Sequence, residues 1–250
     1  MNVATSNPPC LIERGRDHSV CMVGFSAFRN EKNAQLPYDY LDISRALDCS
    51  RIMFLDYSRT CYFGGLPPIV PNFFSLEKFL KEKLAELNPE KTIFVGSSGG
   101  SAAALVFGHL LKADYVHAFG PHTSLTRETV EKLENQSFRE ERRETLERLW
   151  ALPQEVQAFL DIRQVIKQHN GRSRFFIHVC RNCEDDFRRA HYLSGLPGVE
   201  VMSYSCDHHR VVRLLAKAGL LQDILRIENQ DNLLKLFTAV KRVNYLGPLR

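Results

Sequence analysis

Short, continuous apolar runs alternate along this chain with longer segments in which apolar residues recur every three or four positions. The runs at 19–25 (SVCMVGF), 51–55 (RIMFL), 93–95 (IFV), 113–119 (ADYVHAF), 174–180 (RFFIHVC) and 199–204 (VEVMSY) read as strands. They do not alternate apolar with polar, which is the pattern of strands covered on both faces. Between them, 38–47 predicts a short helix or connection. Leu76, Phe79, Leu80, Leu84 and Leu87 share one helical face that Asn88-Pro89 closes, and 101–111 reads as a helix of small and apolar residues. A short helix is expected at 187–194, then a helix over 210–221 and another from Asp223; 199–204 is the expected last strand, and 1–17 is a polar lead-in without an element. Strands alternating with helices predict an α/β chain: a mostly parallel, doubly wound sheet with helices on both faces, in a single domain over 1–250.

One segment breaks the alternation. Residues 124–168 are charged and helical, interrupted at Pro153, and insert between two strands. A helical cap over the sheet end is one reading, and a solvated helix face is the other.

Composition narrows the class. With 250 residues, 44% hydrophobic and 25% charged, the chain can bury one sizeable core. The net charge of +4 is mild, and the basic residues are scattered; where they gather, in Arg139-Glu140-Glu141-Arg142-Arg143, acids interleave. No nucleic-acid partner is expected. No run approaches the ~20 apolar residues of a membrane span, and the N-terminal stretch lacks an apolar core segment. Among seven cysteines, Cys180 and Cys183 form one C-x-x-C with no second pair to complete a zinc site. The cysteines read as reduced core residues of a cytoplasmic protein, with no metal and no cofactor expected.

The chemistry concentrates at 96–100. Gly96-Ser97-Ser98-Gly99-Gly100 follows a strand and opens a helix, the G-x-S-x-G spacing of a nucleophile elbow. A turn that sharp brings strand and helix so close that side chains at Gly96 and Gly100 would collide. The Ser98 hydroxyl then stands clear at a helix N-terminus, whose free N–H groups favour a developing oxyanion. No G-x-x-x-x-G-K-[ST] pattern and no lysine in the turn support a phosphate loop. A serine hydroxyl needs a base, and the base needs an orienting carboxylate. Glu184, Asp185 and Asp186 follow one late strand, and Asp207-His208-His209 follows the next, in the order nucleophile, acid, histidine.

The chain resembles a branch of small bacterial α/β-hydrolase-fold proteins, of serine esterase and acyltransferase type. The similarity is carried by GSSGGSAAAL at 96–105, AFGPHT at 118–123, LDY and CYFGGL at 55–57 and 61–66, and HRVV at 209–212 with Gly219-Leu220. The resemblance implies Ser98 as nucleophile, His209 as base and Asp186 as acid. His208 and Asp185 remain the alternatives, because two imidazoles and three acids are adjacent. In such a fold the oxyanion hole is expected from the N–H of Gly99 and of Phe25 or Ser26. Tyr62, in the aromatic 56–71 loop, and His122, after a strand at the same sheet edge, are candidate pocket residues, with core packing and a structural histidine as the alternative readings. The expected activity is hydrolysis of a small-molecule ester or thioester through an acyl-enzyme on Ser98. An acyltransferase with the same triad, or a non-catalytic binding protein of this fold, is the alternative.

Overall fold

The computed structural model describes residues 7–28, 37–123, 125–168, 171–206, 209, 211–233 and 245–248. Strands β1 (Cys10–Glu13), β2 (Asp17–Phe25), β3 (Cys49–Phe54), β4 (Lys91–Ser97), β5 (Tyr115–Phe119), β6 (Arg174–Cys180), β7 (Val199–Tyr204) and β8 (Tyr245–Pro248) form one sheet in the order β1-β3-β2-β4-β5-β6-β7-β8. The inner six are parallel, and the two edge strands run antiparallel. The mostly parallel sheet is as expected. Two strands are corrections: β1 lies in the supposed lead-in, and β8 follows the supposed last strand. Each has only four residues at an edge, too short for a periodic signal.

The six inner strands are apolar because both faces are covered. One face holds Phe25, Phe54 and Phe94 against α2 (Phe73–Leu87) and α3 (Gly99–Leu110). Phe25 is the hub, with ring centroids 5.4 Å from Phe54 and 5.9 Å from Phe107. The other face holds Met22, Met53, Val95 and Met202 against Leu215, Leu221 and Ile224 of α9 (Val211–Lys217) and α10 (Leu221–Leu225). Helix α3 is buried from Gly99 to Gly108, which explains its lack of a polar face. The remaining early helix, α1 (Leu41–Ala46), falls within the expected connection.

The 124–168 segment forms α4 (Arg127–Leu133), α5 (Gln136–Trp150), α6 (Gln154–Gln157) and α7 (Ile162–Lys167); Ser124 lies outside the described residues. Its side chains divide. The charged face of α5 is solvated, whereas Leu149, Val156, Leu160, Ile162 and Ile166 join the same apolar cluster as Phe107. After β6, α8 (Glu184–Leu193) begins three residues earlier than the apolar pattern suggests, with Glu184, Asp185 and Asp186 in its first turn, where acids complement the helix dipole.

Cysteine usage is a further correction. Cys180 and Cys206 are joined in a disulfide, their Cα atoms 5.0 Å apart, while Cys10, Cys21, Cys49, Cys61 and Cys183 are free. Adjacent parallel strands bring the pair together: Cys180 is paired with Tyr204, two residues before Cys206. No helix among the described residues is long and apolar enough to cross a membrane.

A polar chain crosses the second face of the sheet. Gln230 spends its Nε2 hydrogens on the carbonyls of Ile224 (2.7 Å) and Arg226 (3.0 Å), so its Oε1 accepts from His117 Nε2 at 2.8 Å. His117 Nδ1 then accepts from His178 Nε2 at 3.0 Å, and His178 Nδ1 accepts from the Tyr204 hydroxyl at 2.8 Å. One donor direction satisfies every member, with both imidazoles neutral. Burial pushes both histidines down, His117 to about 4 and His178 well below its ordinary value.

Candidate active site

Ser98 adopts φ 52° and ψ −120°, a conformation that strains an L-residue, between the end of β4 and the first residue of α3. Its N–H donates to Phe119 O at 2.9 Å, pinning the turn to the neighbouring strand. The flanking glycines are packed against backbone. A Cβ on Gly96 would overlap the Gly100 carbonyl, and one on Gly100 would overlap the carbonyl of Phe25. The side chain of Ser98 is thereby lifted off the sheet edge.

Two further sheet ends meet it. His209 Nε2 lies 3.0 Å from Ser98 Oγ, and His209 Nδ1 lies 2.7 Å from Asp186 Oδ2 and 2.8 Å from Oδ1. An ionised carboxylate only accepts, so the Nδ1 proton points at Asp186 and the Nε2 lone pair faces the serine hydroxyl. The Asp186 side chain is fully buried and that of His209 is 30% exposed. Burial alone would raise the Asp186 carboxyl; the hydrogen bond and charge of His209, with Arg189 beyond it, overcome this and hold it below its ordinary value. Asp185, the alternative acid, faces elsewhere: its oxygens accept from Asn135 N at 3.0 Å and Asn135 Nδ2 at 2.6 Å. His208, the alternative base, lies outside the described residues.

No protein-family model matches the chain, and no curated protein sequence matches it. Solved structures do. The capsule O-acetyltransferase of Neisseria meningitidis serogroup A superposes with a TM-score of 0.59 at 15% identity, over 84% of this chain and 89% of that one. A glycosylation-associated protein complex (Gap123) from Streptococcus agalactiae gives 0.61 at 16% identity, over 90% of this chain and 47% of that one. Esterase B from Lactobacillus rhamnosis gives 0.56 at 12% identity, over 94% and 87%. This chain has the α/β-hydrolase fold.

In that fold the surroundings of the three residues become readable. Arg189, one turn after Asp186 on α8, donates Nη2 to Asp186 Oδ1 and Nη1 to Glu134 Oε1 at 3.1 Å. Glu134 also accepts from Arg142 of α5, so a buried chain of alternating charge runs from Asp186 into the inserted helices. Phe138 of α5 stands under Arg189, 4.4 Å from ring centroid to guanidinium carbon, and its ring centroid is 6.4 Å from that of His209. None of Arg189, Glu134 or Phe138 carried a sequence signal. Arg189 lies an i,i+3 step from Asp186, but so does many a surface arginine from an acid.

The candidate oxyanion and pocket residues sort unequally. Gly99 opens α3, where its N–H is among the donors without an intrahelical partner, and the Phe28 ring lies against its Cα. Phe25 sits inside the ladder between β3 and β4. The Ser26 N–H donates to Phe54 O at 3.1 Å, so the strand register already uses the amide assigned to the hole. The next amide, Ala27 N–H, donates to Asp39 Oδ2 at 2.7 Å. Tyr62 is buried, and its hydroxyl proton is shared between the carbonyls of Ser26 (2.8 Å) and Phe54 (3.1 Å), which buttresses the loop. Asp56 sets that buttress, its carboxylate accepting from the amides of Arg59, Thr60 and Tyr62 at 2.9, 2.9 and 3.0 Å. His122 reaches the site, with Nε2 3.4 Å from Ser98 Oγ. No cluster of three metal-binding side chains occurs among the described residues.

Proposed function

We propose that the protein is a serine hydrolase that cleaves a small-molecule ester or thioester through an acyl-enzyme on Ser98. One observation carries the reading: Ser98 Oγ, His209 and Asp186 stand in a hydrogen-bonded line of 3.0 and 2.7 Å, with the serine on a strained turn at a helix N-terminus. The serine proton passes to His209 Nε2 as the Oγ–carbon bond forms, and Asp186 stabilises the resulting imidazolium. The tetrahedral oxyanion faces the Gly99 N–H at the start of α3. Its collapse breaks the bond to the leaving group, which takes the proton from His209. Water then attacks the acyl-enzyme, yields its proton to His209 and releases the acid, restoring Ser98.

An acyltransferase differs only in the second half, where a hydroxyl replaces water. The aromatic shielding favours keeping this reading alongside the first. Phe28 covers Gly99, and Phe138 stands edge-on to the imidazoles of His122 and His209 at 6.3 and 6.4 Å. The O-acetyltransferase among the similar structures points the same way. The inserted helices are proposed as the cap that delivers this shielding.

A fluorophosphonate probe tests the shared first half. Labelling of the wild type and none of Ser98→Ala is expected; equal labelling of both sinks the nucleophile. A panel of p-nitrophenyl esters, with and without sugar acceptors, separates hydrolysis from transfer.

A further inference from the structure

Ser98 Oγ sits between two imidazoles. His209 Nε2 approaches at 3.0 Å and His122 Nε2 at 3.4 Å, with the rings 5.8 Å apart and inclined by 25°. The proposed mechanism uses the first and leaves the second without a task. His122 is buried, and its backbone is held as firmly as the nucleophile's: Ser101 Oγ donates to Ser98 O and accepts from His122 N–H at 2.9 Å. A single hydroxyl thus fixes the spacing between the elbow and this ring.

The tautomer follows from its partners. Among the described residues His122 Nδ1 is buried with no hydrogen-bond partner. A proton on Nδ1 would be a buried, unsatisfied donor, costing roughly 1–3 kcal/mol, whereas a proton on Nε2 finds Ser98 Oγ. The Nε2–H tautomer therefore prevails, and it cannot serve as the base. Burial pushes this ring well down, and the nearby charges of Arg142, Arg189 and His209 push it further, so it stays neutral while His209 becomes charged. Ser98 Oγ then donates to His209 and accepts from His122.

Meanwhile, among the described residues after β2, the Ser26 N–H, one of the two amides expected in the hole, and the Ala27 N–H that follows it are both committed. We infer that His122 is a catalytic hydrogen-bond donor, its Nε2–H completing the oxyanion hole with the Gly99 N–H. This rests on the serine-hydrolase reading of the same site. At 3.4 Å the bond to Oγ is slack in the resting state. Once Oγ is bonded to the tetrahedral carbon it becomes a poorer acceptor, and the negative charge sits on the adjacent former carbonyl oxygen. The N–H turns to that oxygen, so its hydrogen bond strengthens only as the barrier is crossed. No proton leaves His122 at any step.

The test compares His122→Phe, which keeps the ring and loses the donor, with His122→Gln, which carries an N–H near the same place. His122→Phe is expected to lose about 10²-fold in kcat on a p-nitrophenyl ester with KM little changed, and His122→Gln to recover most of it. Thermal midpoints of both should stay near the wild type. A His122→Phe variant with wild-type kcat overturns the inference. So does His122→Gln falling as far as His209→Gln, which would make His122 a base, and so does a loss carried wholly by KM. If the wild type shows Ser98-dependent fluorophosphonate labelling and any of these holds, only the donor role falls. A wild type inert to the probe and to every ester removes the hydrolase reading and the inference together.

Discussion

Arg189 and His209 share one carboxylate: the guanidinium donates to Asp186 Oδ1 while His209 Nδ1 is bonded to both oxygens. The carboxylate that accepts from His209 is thus also the first link of a buried charge chain leading through Glu134 to Arg142. Both the Arg189 and Asp186 side chains are fully buried. A broken pair in such a place is costly, because the remaining charges stay desolvated. Arg189→Met is expected to cost about 3–5 kcal/mol in a denaturant titration and to lower kcat. An unchanged unfolding midpoint would show that Arg189 balances nothing.

The adjacent acids make a sharper comparison. Asp186→Asn leaves the shape intact but removes the acceptor that selects the His209 tautomer, and a loss of about 10⁴-fold in kcat is expected. Asp185→Asn weakens the clasp on Asn135, whose side chain caps α5. It should cost about 1 kcal/mol in stability and leave the rate close to wild type. Matching rate losses in the two variants would contradict the assignment.

Acid should destabilise the fold through His117 and His178. Both are depressed when folded, so their neutral forms are preferred in the native state. Their contribution is complete above the ordinary histidine value of about 6.5 and declines as pH falls below it, because the unfolded chain takes up protons that the folded one refuses. For His117, held at about 4, the loss should reach about 2 kcal/mol by pH 5. Denaturant midpoints from pH 7.5 to 5 check this against His117→Gln, whose curve should be flatter. Parallel curves would mean that the titration lies elsewhere.

The Cys180–Cys206 disulfide spans the roots of two candidate catalytic loops, one leading to Asp186 and the other to His209. Its separation of 26 residues corresponds to about 3.5 kcal/mol of unfolded-chain entropy. Cys206→Ser is expected to lower both the thermal midpoint and kcat, and dithiothreitol to lower the wild type toward the variant. A reductant-insensitive wild type would argue against the link in solution.

What could be read from the sequence was local. Gly96 to Gly100 announced its geometry because a strand–turn–helix junction that tight admits few residues; chain order placed the acids 184–186 and the histidines 208–209 at successive sheet ends, and the family resemblance singled out Asp186 and His209 among them. The choice between Asp185 and Asp186 was not local. It depends on the helical rotation of α8, which turns one carboxylate to Asn135 and its neighbour to His209. Ser26 was misassigned because whether a strand-end amide is free depends on the register of the neighbouring strand. The edge strands β1 and β8 and the disulfide likewise depend on partners far away in sequence.

The glycines at the elbow have one more consequence. The space beside Gly96 is filled by the Gly100 carbonyl, and the space beside Gly100 by the Phe25 carbonyl. Three successive backbone segments thus interlock with no side chain between them. A substitution at either glycine cannot be compensated by trimming a neighbour, since nothing there can be trimmed. Sequence drift can rewrite the inserted helices step by step, but at this junction it has no first step to take.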